Sequence, residues 1–189
     1  MKYPLSILVV LLAAFLGTSS CLRGGFILNP HVVIGPPKFN ITDLTSTQGG
    51  DGWSAGYLGT NNNPSTFSTS GMTWSAPNWV GTQSFSTPVV GAVFMHPGVD
   101  SENSAAARFV APSALSGTIT LKASSAGSDV TMRVWQGAVL LGSLSLTGST
   151  STLTVPGVTL GLADTITVEC DPNADSSGDS TTITEFTLR

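Results

Sequence analysis

Charge is scarce in this chain. Only 10% of its 189 residues are charged, 7 Lys+Arg against 11 Asp+Glu, for a net charge of −4. A globular chain usually carries about a quarter, and here Ser, Thr, Gly and Asn fill the shortfall. So few basic residues cannot neutralise a phosphate backbone, which excludes a nucleic-acid-binding function. Cysteine is scarcer still: Cys21 and Cys170 are the only two, so no disulfide framework stabilises the fold. Helical periodicity is missing from the chain after its first twenty residues, and that excludes an α-helical core. Disorder is excluded in turn, because alternating Val, Ile, Leu and Phe run through the second half and can bury a core.

There is one long apolar run, Leu5 to Leu16. At about a dozen residues it is too short to span a hydrocarbon layer of roughly 30 Å. Lys2 precedes it and Gly17-Thr18-Ser19-Ser20 follows, so residues 1–20 read as a cleaved export signal. Cleavage before Cys21 would expose a thiol of the kind that bacterial lipoproteins acylate. Thr18 stands where such signals usually place Leu, so ordinary cleavage after Ser19 or Ser20 is the competing reading. Residues 21–38, with Pro30, Gly35, Pro36 and Pro37, read as a flexible tether. Without Lys2 the chain keeps 6 basic and 11 acidic residues, net −5. Any membrane attachment would therefore come from a lipid and not from charge. The expected location is secreted, or lipid-anchored at the bacterial cell surface.

From residue 39 onward the hydrophobic period is two. It shows in Thr118–Leu121, Val130–Trp135, Leu140–Leu146, Thr152–Val155, Asp164–Cys170 and Thr182–Leu188. Turn chemistry separates the runs: Ala126-Gly127-Ser128-Asp129, a tight hairpin at Gln136-Gly137, Thr147-Gly148-Ser149 and Pro156-Gly157. Strands of this length without intervening helices predict an all-β, antiparallel, jelly-roll-like β-sandwich, a single domain over residues 39–189. Residues 48–88 are richer in Gly, Asn, Ser and Trp and are expected to add short strands and long loops, not a second core. Cys170 shares the inward face of Ile166 and Val168 and reads as a small buried hydrophobe. Pairing with Cys21 is the alternative.

The order of certain motifs resembles a known layout. Gly52-Trp53-Ser54-Ala55-Gly56-Tyr57 is followed by Trp74 and Trp79, then by His96-Pro97-Gly98. Next come Ala107-Arg108-Phe109-Val110-Ala111-Pro112 with Gly117-Thr118-Ile119-Thr120, and last Val168-Glu169-Cys170-Asp171-Pro172 with Gly178-Asp179-Ser180-Thr181. This is similar to the β-sandwich modules of exported bacterial proteins, including planctomycete-type and sorting-signal proteins. The chain departs from the pattern at Ala55, inside the Trp-Ser-x-Gly element, and at Phe109-Val110. The resemblance spans most of residues 50–189. It implies a layout like that of carbohydrate-binding jelly rolls, which often accompany polysaccharide-active enzymes.

Four aromatic residues in the first half could contact a sugar: Trp53, Tyr57, Trp74 and Trp79. Rings stack on the apolar C–H faces of sugars while polar groups bond the hydroxyls, and Asn61-Asn62-Asn63 with Asp51 would supply that complement. Asn62 stands for that polar edge. The other reading is that the rings fill the sandwich. The flanks of Trp53 and Trp74 favour the core, and Tyr57 and Trp79 are the better candidates for an exposed platform. Trp135 reads as structural. Asp171, Asn173, Asp175 and Asp179 set oxygens at odd spacing in a loop after a strand, a pattern suited to calcium, which takes six to eight oxygens. Here the Gly is displaced, Pro172 stiffens the start, and no closing Glu follows unless Glu185 helps. An ordinary polar turn is the alternative.

Catalysis has little support. His31 lies in the tether and His96 precedes Pro97 with no companion His or nucleophile motif. Asp100 and Glu102 share one loop, and Arg108 and Arg133 could pair with acids inside the sandwich. The sequence therefore predicts a non-catalytic extracellular module whose partner is a glycan. The alternative is a structural or adhesive surface protein that binds another protein through Thr/Ser-rich strands.

Overall fold

The computed structural model describes residues 39–82, 88–98, 103–127, 129–173 and 179–189. The export signal, the tether, Cys21, His31, Asp100, Glu102 and Asp175 lie outside them. The described residues build two antiparallel sheets and contain no α-helix. One sheet has six strands, β1 (Trp53–Leu58), β2 (Phe67–Ser68), β7 (Ser104–Val110), β9 (Val130–Gln136), β10 (Val139–Leu146) and β12 (Thr165–Asp171), in the order β10-β9-β12-β7-β1-β2. The other has seven, β3 (Met72–Ser75), β4 (Asn78–Gly81), β5 (Val89–Gly91), β6 (Phe94–His96), β8 (Leu115–Ser125), β11 (Ser151–Leu160) and β13 (Thr181–Leu188), in the order β11-β8-β13-β6-β5-β4-β3. This is the β-sandwich that the period-two pattern predicts.

Alternation decides which side chains reach the shared interior. On β12 Ile166, Val168 and Cys170 face the core, and on β9 Val130, Met132 and Val134 do. Cys170 is buried as expected, within 3.5 Å of Thr181 Oγ1. Burial pushes its thiol up to about 12, so it is an inert core residue at neutral pH. The Gln136-Gly137 hairpin forms with Val139 paired to Gln136, and Gly137 takes the positive φ of 55° that the turn requires.

Pro156-Gly157 is not the turn its composition suggests. It lies inside β11, where the register slips between Val155 and Val158 and Gly157 has φ 70°. β11 is an edge strand, so the missing proline N–H breaks no ladder. A bulge of this kind lets two residues three apart face the same side. β13 uses the same device between Ile183 and Glu185, which turns both Ile183 and Phe186 inward.

The segment expected to be loop-rich contributes β1, which lies between β7 and β2 in the six-stranded sheet. Trp53, Ala55 and Tyr57 alternate onto its inner face, opposite Phe109, Ala107 and Ala105 of β7. Two small alanines there leave space that large rings must fill if the interior is to reach native packing density. Trp53, Phe109, Phe39 and Phe186 fill it, with ring centroids 4.7 to 5.9 Å apart and Phe186 reaching across from the opposite sheet.

His96 ends β6 and accepts a hydrogen bond from Gly98 N–H at Nδ1, 2.9 Å away. It is a turn residue, as its sequence context suggests. Burial lowers its pKa below the usual 6.5, so the neutral ring is favoured in the fold. Its contribution to stability is complete above pH 6.5 and is lost as pH falls from there through the lowered folded value. Denaturant midpoints measured between pH 7.5 and 5 should fall more steeply for the unaltered chain than for His96→Gln.

Candidate functional site

The outer face of the six-stranded sheet is where polar side chains gather. Register sets them in rows. Leu140, Trp135, Thr167, Arg108 and Ser54 are successive partners across β10, β9, β12, β7 and β1. The next row runs Ser143, Arg133, Glu169, Ala106 and Gly56. The chain between β1 and β2 folds onto this face. Asn63 caps a single 3-10 turn at Pro64–Thr66, accepting from Ser65 N–H at 3.2 Å. Asn62 has φ 62°, a left-handed value that Asn tolerates, and this aims its N–H at Glu169 Oε1, 2.9 Å away.

Two carboxylates lie beneath. Glu169 is 0% exposed and Asp171 3%. Charges taken out of water are costly unless they are paired and fully hydrogen-bonded, and both are. Trp135 Nε1 donates to Glu169 Oε2 at 2.9 Å. Ser104 Oγ lies 2.8 Å from Glu169 Oε1 and 2.6 Å from Asn61 Oδ1, so its single proton serves both acceptors. Arg133 Nη1 donates to Asp171 Oδ2 and stands 3.9 Å from Glu169 Oε1. Asn61 Nδ2 donates to Asp171 Oδ1 at 3.1 Å, and Asn173 N–H donates to the same oxygen at 2.9 Å. The pair is thus a closed network, and an enclosed carboxylate with both oxygens engaged cannot reach a substrate as a general acid or base.

Arg108 sits apart from this network. Its Nε donates to Thr167 Oγ1 at 3.0 Å and its Nη2 to the carbonyl of Pro64. Its guanidinium carbon stands 4.2 Å from the centroid of Phe67. Phe67 in turn covers Gly56: a Cβ there would come within 2.3 Å of Ser68 O and 2.8 Å of the Phe67 ring, so only glycine admits this packing.

The aromatic platform expected from the sequence is not exposed. Tyr57 is 9% and Trp79 7% accessible, and Trp53 is 0%. Tyr57 is buried by the alternation of β1. Trp79 faces the core from β4 and donates through Nε1 to Thr45 O at 2.8 Å. Trp74 keeps part of its surface, standing edge-on to Trp79 with centroids 5.7 Å apart. Trp135 is buried as read, but on the outer face. The expected partnership of the asparagines with Asp51 does not form. Asn61 and Asn62 turn to the buried acids, whereas Asp51 lines a separate cleft of about 630 Å³ with Phe39, Asp43, Phe109 and Leu115. The side chain of Asn62 is exposed beside Arg108's face of the sheet.

Of the four oxygen-bearing residues proposed for calcium, Asp171 is engaged by Arg133 and Asn61. Asn173 turns its side chain to Thr131 Oγ1 at 3.0 Å and Asp129 O at 2.7 Å. Asp179 is buried. Among the described residues no three His, Cys, Asp or Glu side chains stand together as metal ligands would. Sequence reasoning paired Arg133 with an unspecified acid and did not see the Glu169 network. Part of the signal was in the sequence, since Glu169 and Asp171 alternate with core residues on one strand; strand pairing then sets Glu169 opposite Arg133 and Asp171 opposite Thr131.

No protein-family model matches the chain, and no curated protein does. Among solved structures it is similar to a family 29 carbohydrate-binding module, at 12% identity over 82% of this chain and 89% of that one, with a TM-score of 0.44. A mutant of CBM29-2 complexed with cellulohexaose matches at 11% identity over 82% and 92%, TM-score 0.45. Another, complexed with mannohexaose, matches at 11% over 82% and 92%, TM-score 0.43. A likeness this distant carries no argument about ligand or chemistry.

Proposed function

We propose that the domain is a non-catalytic glycan-binding module, exported and either secreted or held at the bacterial surface by a lipid on Cys21, and that its contact surface is the outer face of the six-stranded sheet. One observation carries the reading. Arg108, Arg133, Ser54 and Asn61 are part-exposed and Asn62 is exposed; Arg108 is held against the Phe67 ring by Thr167 and the Pro64 carbonyl, and Arg133 and Asn61 are held by the buried acids, all with no ligand needed. Planar polar groups prearranged beside an aromatic ring suit a sugar, whose hydroxyls and C–H faces demand both.

Asn62→Gly tests the site. Glycine keeps the left-handed backbone and the N–H to Glu169 while removing the exposed amide. Loss of one ligand hydrogen bond, worth about 1 kcal/mol, should weaken binding about fivefold on arrayed polysaccharides at an unchanged melting temperature. Trp74→Ala, at the edge of the other sheet, should leave binding intact. The reverse pattern would move the site to that edge, and full binding by both variants would remove this surface from consideration.

Calcium belongs to the same proposal as a structural ion fixing the loop that contains Asp175. A ligand bound only by the folded chain raises its melting temperature. A melt that drops on chelation supports the ion, and coincident curves leave a plain polar turn.

A second reading rests on the opposite face. Thr152, Thr154, Thr182 and Thr184 of the seven-stranded sheet are exposed, with Thr118 and Thr120 partly so. This hydroxyl-rich surface, with the exposed Lys122 opposite Thr152, is where a protein partner would pack if the chain is adhesive, and pull-down by glycan-free surface protein would favour it.

A further inference from the structure

Resting on that glycan reading, we infer that the ligand is acidic, a polymer containing uronic acid, and that its carboxylate is taken by Arg108. Three arginines fall among the described residues. Arg133 is paired with Asp171 and Arg189 with Glu185 at 3.1 Å, but no carboxylate among the described residues lies within ion-pair distance of Arg108. In a chain with more acids than bases, that cation has no counter-charge among the described residues while Arg133 stands beside two.

Its immobilisation makes the vacancy specific. The guanidinium has five N–H donors in a planar fork. Thr167 and the Pro64 carbonyl take donors from Nε and Nη2, and the face of the group is fixed against Phe67. The remaining donors are left for a ligand. A carboxylate matches such a fork with two parallel charge-assisted bonds, and a hydroxyl cannot. Because the side chain is already held, little rotamer entropy is lost on binding. The group is also half-buried, and desolvation lowers its pKa. It stays charged throughout the physiological range. Ser54, its register partner on β1, and the exposed Asn62 amide lie on the same face and suit the hydroxyls of a sugar ring.

The test compares a polyuronate with the same polymer after its carboxylates have been reduced to hydroxymethyl groups. The unaltered chain should bind the polyuronate about tenfold or more tightly than the reduced polymer, the range expected of a charge-assisted pair. Arg108→Gln should abolish the preference, so that this variant binds the polyuronate and the reduced polymer equally, and Arg108→Lys should keep only part of it. Equal binding of both polymers by the unaltered chain would overturn the acidic ligand, a preference that survives in Arg108→Gln would overturn the assignment of its carboxylate to Arg108, and either result leaves the glycan reading standing. If the unaltered chain binds neither the polymer pair nor any arrayed glycan, the proposed function itself fails. If Arg108→Gln does not fold, the comparison on the unaltered chain still decides.

Discussion

Arg133→Leu should lower the unfolding free energy by about 3–5 kcal/mol, the usual cost of leaving a buried charge without its partner. For a domain of this size that is a drop in melting temperature on the order of 10 °C. The size follows from what Arg133 touches. Asp171 and Glu169 are almost wholly enclosed, and this guanidinium is the cation beside both. Leucine would preserve much of the packing and remove the charge, so the loss reads the electrostatics. A second substitution separates the causes. Asp171→Asn in the Arg133→Leu background should restore part of the stability, because it removes one stranded charge. Urea denaturation of the two single variants and the double gives the coupling directly. A coupling near zero would mean that the carboxylates are compensated elsewhere.

Trp53→Ala should cost a similar amount, about 3–5 kcal/mol, by opening a cavity in the aromatic cluster that joins the two sheets. Domains are stable by only about 5–15 kcal/mol in total, so this variant is expected to be partly unfolded at body temperature. Trp53→Phe should be much milder. Trp53 Nε1 is buried with no hydrogen-bond partner among the described residues, and removing an unsatisfied donor recovers some of what the smaller ring loses. Equal losses in both variants, measured by denaturant midpoint, would argue that the indole N–H is satisfied in solution.

The two positions also show how sequence and structure divide the information. The strands from Leu115 to Leu188 were legible because each alternates over at least four residues, and the core contains most of the residues that pattern selects; Leu140 is an exception, left 46% exposed where β10 bulges between Leu140 and Gly142. β1 was not legible, since Trp-Ser-Ala-Gly-Tyr-Leu mixes small and large residues and its alternation appears only once Ala105 and Ala107 stand opposite. That one misreading moved Tyr57 from an expected platform into the core. Trp79 was missed for a similar reason: a four-residue strand gives too short a period to assign a face. The bulges in β11 and β13 were invisible because a register slip depends on the partner strand.

By itself the sequence determined the fold class, the inward side of the long strands and the burial of Cys170, because two-residue periodicity is a local property that any sheet must obey. Only the tertiary structure decided which residues meet. Arg133 with Glu169 and Asp171, the asparagine loop over both acids, and Arg108 against Phe67 join segments 36 to 110 positions apart. Whether a charge is compensated is settled by contacts of a few ångströms, and nothing in the order of residues along the chain fixes those.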